Sequence, residues 1–273
     1  MPRQARIDVA GQLYHVMSRG IERREIFIDK EDYTDFLERI GVWLKKSGGK
    51  CLAWCLIPNH FHFLVLRGDR PLSEVMHHAM TGYAVNFNAR HRRAGHLFQN
   101  RYKSIICDVE EYLLELVPYI HLNPLRAKLV ENLAELENYK WCGHPAIVKG
   151  VPDGILDSEV LLEHFGGDEE TAVRKYKELM EEKVSDSDRI DLLGGGLLRS
   201  LRAGDKRLSD PRILGERDFV DSILKAAGES ARKPLRSPAE LLSEVEKRTG
   251  VPREEILRPS RNRKSARARA LYC

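Results

Sequence analysis

Long hydrophobic runs are missing from this chain. The longest uninterrupted apolar stretch, Cys51 to Pro58, falls far short of the roughly 20 residues that a membrane span needs. The basic start, Met1 to Arg6, is followed by no apolar stretch of signal-peptide length. No membrane partner is expected, and the reading is a cytoplasmic protein. The five cysteines are odd in number and include no Cys-x-x-Cys pair, which argues against a disulfide framework or a thiolate zinc site. Cys51 and Cys55 are spaced to share one strand face as small buried hydrophobes. Internal repeats and low-complexity segments are also lacking.

At 273 residues, the chain is long enough for a sizeable core and two or three units. Its 42% hydrophobic and 32% charged residues suit a soluble globular protein. The net charge of +4 is modest, but its distribution is informative. Basic and acidic residues number 20 and 17 over 1–144, 14 and 19 over 145–232, and 11 and 5 over 233–273. A short basic tail on a near-neutral body suits polyanion binding.

Residues 1–144 alternate strand and helix patterns. Leu13 to Arg19 predicts a first strand, and Lys30 to Lys46 a helix with Tyr33, Phe36, Ile40 and Leu44 at helical spacing. Lys50 to Ile57 and His60 to Leu66 predict a strand pair joined at Pro58-Asn59. A helix over Leu72–Arg92, a strand over His96–Ile106 and a helix over Val109–Leu122 complete the order β-α-β-β-α-β-α. The class is α+β: a ferredoxin-like split βαβ antiparallel sheet with helices on one face and the other face open. A generic α+β domain with another strand pairing is the alternative. The helical middle region, 145–232, carries Asp168 as a plausible cap for a helix over Glu169–Lys183, and a further helix over Phe219–Ala227. The tail, 233–273, opens with the helix start Ser237-Pro238-Ala239-Glu240, and a very basic segment follows from Ser260 to Tyr272. Short helices with a basic last one suggest an incomplete helix-turn-helix DNA binder.

The most informative residues are His60 and His62. Residues two apart on a strand point the same way, so both imidazoles leave the face opposite Phe61 and Phe63 and can converge on one metal ion. A nucleophile and a further ligand are available on the third helix. Tyr119 and Asn123 are i and i+4, and Tyr112 lies on the same face two turns earlier. Pro118 predicts a kink or restart that puts Tyr119 in a first helical turn. Asn123 can serve instead as an N-cap for the segment beginning at Pro124. A phenol is a poor nucleophile at neutral pH, with a pKa near 10. A divalent cation polarising a phosphodiester removes the need for a strong base. Two imidazoles, an amide oxygen and phosphate oxygens suit Mg²⁺ or Mn²⁺, and the imidazoles shift the preference towards Mn²⁺.

The run Pro58-Asn59-His60-Phe61-His62-Phe63-Leu64-Val65 resembles the His-hydrophobic-His motif of the HUH single-tyrosine endonucleases. Tyr14-His15-Val16-Met17-Ser18-Arg19-Gly20, Gly95-His96-Leu97-Phe98-Gln99-Asn100-Arg101-Tyr102-Lys103-Ser104 and Tyr119-Ile120-His121-Leu122-Asn123-Pro124-Leu125-Arg126-Ala127 resemble further signatures of that group. The likeness is to bacterial insertion-sequence transposases of the single-tyrosine class and their REP-associated relatives, and it covers about residues 1–144. It implies a metal-dependent transposase that cleaves and rejoins single-stranded or hairpin DNA through a covalent 5′-phosphotyrosine, commonly as a homodimer. Carried over, His60 and His62 match the metal pair, Tyr119 the nucleophile and Asn123 a polar third ligand. Pro118 departs from the charged residue expected there. More weakly, the tail resembles the DNA-binding domain of the bacterial replication initiator. His15, Arg19, Arg23, Arg24, Arg101 and Lys103 form a set placed to contact phosphate. The rival readings are a domesticated, non-catalytic DNA-binding regulator on the same fold and a metallohydrolase of small phosphoesters. His121 reads as structural, and His77 and His78 lack partner spacing.

Overall fold

Four segments rich in β-branched and aromatic residues zip into a sheet in the computed structural model, which describes residues 5–185, 210–229 and 238–252. They are β1 (Leu13–Arg19), β2 (Lys50–Ile57), β3 (His60–Leu66) and β4 (Lys103–Cys107). β1 is central and pairs antiparallel with β3 and β4, while β2 pairs antiparallel with β3. A two-residue strand, β5 (Ile213–Leu214), adds parallel to β4 and makes the sheet mixed, in the order β2-β3-β1-β4-β5. The α+β class and the split βαβ order are those the sequence leads one to expect. The short parallel fifth strand has no sequence signal of its own.

One face packs against α1 (Lys30–Ser47) and α2 (Leu72–Arg90). Asp29 and Asp32 form a capping box at the start of α1, and Gly48 ends it with φ 66°. Beneath these helices lie Tyr14, Val16, Trp54, Phe61 and Phe63, with Phe36 of α1 at 4.9 Å from the Phe61 ring. The helix Arg217–Ala226 of the middle region adds Val220, Ile223 and Leu224 to this layer.

The second face is not open. It carries α3 (Val109–His121), α4 (Asn123–Arg126), α5 (Leu133–Leu136), α6 (His144–Lys149), α7 (Ser158–Glu163) and α8 (Glu169–Val184). Leu13, Ile57, Leu64, Ile105 and Cys107 supply the sheet side of that layer. The strands are apolar at both parities, which is the pattern of a sheet covered on both sides. After β5 come α9 (Arg217–Ala226) and, in a separate compact unit, α10 (Pro238–Thr249).

Three further departures have local causes. A bulge between Cys51 and Ala53 slips the register of β2 by one residue, so Cys51 and Cys55 fall on opposite faces. The fourth strand is shorter than the His96–Ile106 segment, because Arg92 and Gly95 turn at positive φ and Phe98 makes only an isolated bridge to Gly20. Pro118 does not break α3. It removes only the rung to Leu114, whose residue is exposed on the outer side, and Tyr119 sits in the last turn rather than a first one. The Ser237 cap and the basic segment from Ser260 to Tyr272 lie outside the described residues.

Candidate active site

β3 presents His60 and His62 to the second face, with Phe61 and Phe63 buried in the first. Register sets Arg19 opposite His60 and Met17 opposite His62. The two imidazole centroids are 5.1 Å apart. Both line a cavity of about 450 Å³, together with Tyr119, Arg19, Gln99, Arg101 and Lys103.

Tyr119 reaches this cavity from α3. Its ring stands edge-on to His62 at 5.8 Å and to His15 at 5.9 Å. The Arg126 guanidinium lies 5.2 Å from the same ring and donates to the Tyr119 carbonyl at 2.8 Å. That contact ties the end of α3 to α4. His60, His62 and Tyr119 therefore converge within one chain.

Each histidine of the pair is held at Nδ1. Asn59 Oδ1 is 2.7 Å from His60 Nδ1, and His15 Nε2 is 2.9 Å from His62 Nδ1. Burial pushes the His60 pKa down to about 4, with the Arg19 charge adding to the shift. Burial holds His62 well below the usual histidine range, helped by His15, His60 and Arg126. Both rings are thus neutral near pH 7, the form in which imidazole binds metals. With Nδ1 engaged, Nε2 is the remaining ligand atom on each ring. The donor set fits a divalent cation.

The other expected residues divide. Arg19, Arg101 and Lys103 surround the cavity, and Arg19 Nε donates to Gln99 Oε1 at 2.5 Å. Arg23 and Arg24 do not line it. They occupy the exposed turn after β1, where Arg24 pairs with Glu22 at 3.0 Å. His15 is fully buried, so it cannot serve as a phosphate contact; the helices packed on the second face cover it, and its ring meets His62. Asn123 does not line the cavity either. Its Nδ2 donates to the carbonyls of Tyr119 at 2.8 Å and Ile120 at 3.2 Å, closing the end of α3 rather than capping the start of α4. Tyr112 is buried under the sheet, away from the cavity. His121 Nδ1 bonds the Tyr176 hydroxyl at 2.8 Å, and His144 Nδ1 bonds the same hydroxyl at 2.6 Å. His78 stacks on Trp43.

Sequence reasoning missed Asn59, Gln99 and Asn100 as site-forming residues. Asn59 looked like a turn former alone. Gln99 and Asn100 were hidden inside a segment with a strand pattern. A second group, Asp29, Asp32 and His91, has ligand-type atoms within 4.8 Å of one another. Arg90 already bridges Asp29 and Asp32, and His91 Nε2 bonds Asp32, so these carboxylates are engaged in a helix cap.

The sheet order and the histidine–tyrosine cavity define an α+β domain with one convergent polar site. Residues 8–123 match the family model described as "Transposase IS200 like", so this segment of the chain is similar to that family. No curated protein matches the chain. A solved structure described as a REP-associated tyrosine transposase bound to a REP hairpin is 17% identical, over 62% of this chain and 93% of that one, with a TM-score of 0.45. Among the described residues, no helix is long and apolar enough to cross a membrane.

Proposed function

We propose that the domain cuts and rejoins single-stranded DNA with Tyr119 as nucleophile and His60 and His62 as ligands of Mg²⁺ or Mn²⁺. The observation that carries this reading is the convergence of both imidazoles and the phenol on one 450 Å³ cavity. When bound, the cation supplies charge neutralisation at a non-bridging phosphate oxygen. The Tyr119 oxygen attacks phosphorus, and its proton leaves as the new P–O bond forms. The bond to the 3′ oxygen breaks, and that oxygen takes up a proton. The strand then carries its 5′ phosphate on Tyr119 and ends in a free 3′ hydroxyl. Attack by another 3′ hydroxyl reverses the step and rejoins DNA, because one phosphodiester has replaced another. Arg19, Arg101 and Lys103 supply positive charge around the cavity for the flanking phosphates.

Incubation with a single-stranded oligonucleotide carrying a hairpin, in Mn²⁺, tests the reading by mass spectrometry for a nucleotide-bearing tyrosine. Tyr119→Phe is expected to lower adduct formation by about 10³-fold or more with DNA binding retained. An adduct that survives in that variant rejects Tyr119. DNA binding by the wild type with no adduct in either Mg²⁺ or Mn²⁺ assigns the chain to the non-catalytic regulators.

A further inference from the structure

His15 and Asn59 raise a question of proton placement. A neutral imidazole carries one proton, and a ring that ligates through Nε2 must keep that proton on Nδ1. At His60 the partner settles the matter. Asn59 Oδ1 accepts only, so His60 Nδ1 must be the donor across the 2.7 Å contact. The amide is not reversible, because Asn59 Nδ2 donates to the Arg23 carbonyl at 3.3 Å. The Arg23 turn is itself held in place. Gly20 approaches the Arg24 carbonyl so closely that a Cβ there would lie 2.0 Å from that oxygen.

At His62 the partner is another imidazole. The 2.9 Å contact between His15 Nε2 and His62 Nδ1 holds one proton. If His15 donated, His62 would carry its proton on Nε2 and turn an N–H towards the cavity. If His62 donates, its Nε2 lone pair is left for a ligand. His15 is fully buried among Leu13, Leu64 and Ile105, the setting in which an imidazole needs a polar partner. Its ring stacks on His62 at 5.1 Å between centroids.

We propose that His15 and Asn59 are positioning residues that accept the Nδ1 protons of His62 and His60, so that both Nε2 lone pairs are presented to the cation. The inference rests on the metal role proposed above. Such outer partners typically change metal affinity by about 10–100-fold when removed.

The test uses the full metal-free chain labelled with ¹⁵N-histidine. Long-range ¹H–¹⁵N spectra are expected to show His60 and His62 unprotonated at Nε2. In His15→Phe, the His62 Nε2 signal is expected to move towards the protonated form, with Mn²⁺ affinity lowered about 10–100-fold in a calorimetric titration. His15→Gln keeps an acceptor near the Nε2 position and is expected to restore both to within about threefold, which a mere packing role would not do. Asn59→Ala, at a half-buried turn, provides the same measurement on His60 if His15→Phe fails to fold. A wild-type His62 protonated at Nε2 overturns the inference, as does a folded His15→Phe with unchanged tautomer and Mn²⁺ affinity. Wild-type protein that shows the stated tautomers yet binds no Mn²⁺ brings down the metal reading, and this inference with it.

Discussion

The two faces of the sheet share the same strands but bury different chemistry. Under α1 and α2 the layer is aromatic and aliphatic: Phe27, Phe36, Phe61, Phe63, Tyr83 and Phe87 pack ring against ring. Under α3 to α8 the layer also encloses His15, His62, His121, Asn123 and His144. His15 and His62 bond each other, His121 and His144 share the Tyr176 hydroxyl, and Asn123 bonds helix carbonyls. One face therefore holds the fold, and the other positions a reactive group. Burying imidazoles costs stability, and hydrogen bonding offsets that cost.

Phe36→Ala probes the apolar face most severely. A cavity there is expected to cost about 3–5 kcal/mol in urea unfolding, with adduct formation per folded molecule little changed. A selective loss of adduct at unchanged stability would erase the division between the faces.

Acid acts on the other face. Burial, then the nearby Lys177, pushes the His144 pKa down to about 4. In the unfolded chain, histidine titrates near 6.5, so the unfolded state takes up the proton first. The contribution of His144 is complete above about pH 6.5 and is lost as pH falls towards 4. Between pH 7 and 5 that amounts to about 2 kcal/mol, read from urea midpoints. Burial pushes His62 and His121 in the same direction. Stability that stays flat over this window would contradict the buried neutral state.

Tyr176→Phe removes the hydroxyl shared by His121 and His144 and leaves two buried nitrogens unpaired. The expected loss is about 1–3 kcal/mol, with slower adduct formation because α3 loses an anchor to α8. Asn123→Ala is the mildest change. It removes the cap on α3 at about 1 kcal/mol and should leave Mn²⁺ affinity unaltered. A large fall in Mn²⁺ affinity would return Asn123 to the ligand set.

Much of this was legible in the chain. Runs of β-branched and aromatic residues bounded by turn residues marked β1 to β3, helical spacing marked α1, and the Asp168 cap marked α8. The His60–His62 spacing placed both rings on one face. The second helical layer was less legible, because α4 to α7 are four to six residues long and carry weak periodicity. Its signal lay in the strands instead, apolar at both parities. Asn59 and His15 were misjudged for a common reason: a turn former and a basic residue near a site have ordinary explanations until their partners are known.

The amino-acid sequence alone determined β1 to β3, the shared side of His60 and His62 and the placement of Tyr119 on a helix, because these follow from residue propensity, backbone geometry and local spacing. Tertiary packing decided the rest. It buried His15 beneath helices, aimed the Asn123 amide at a helix end and carried α3 through Pro118. Each of those depends on which distant group lies within hydrogen-bonding or van der Waals reach, and no local pattern encodes that.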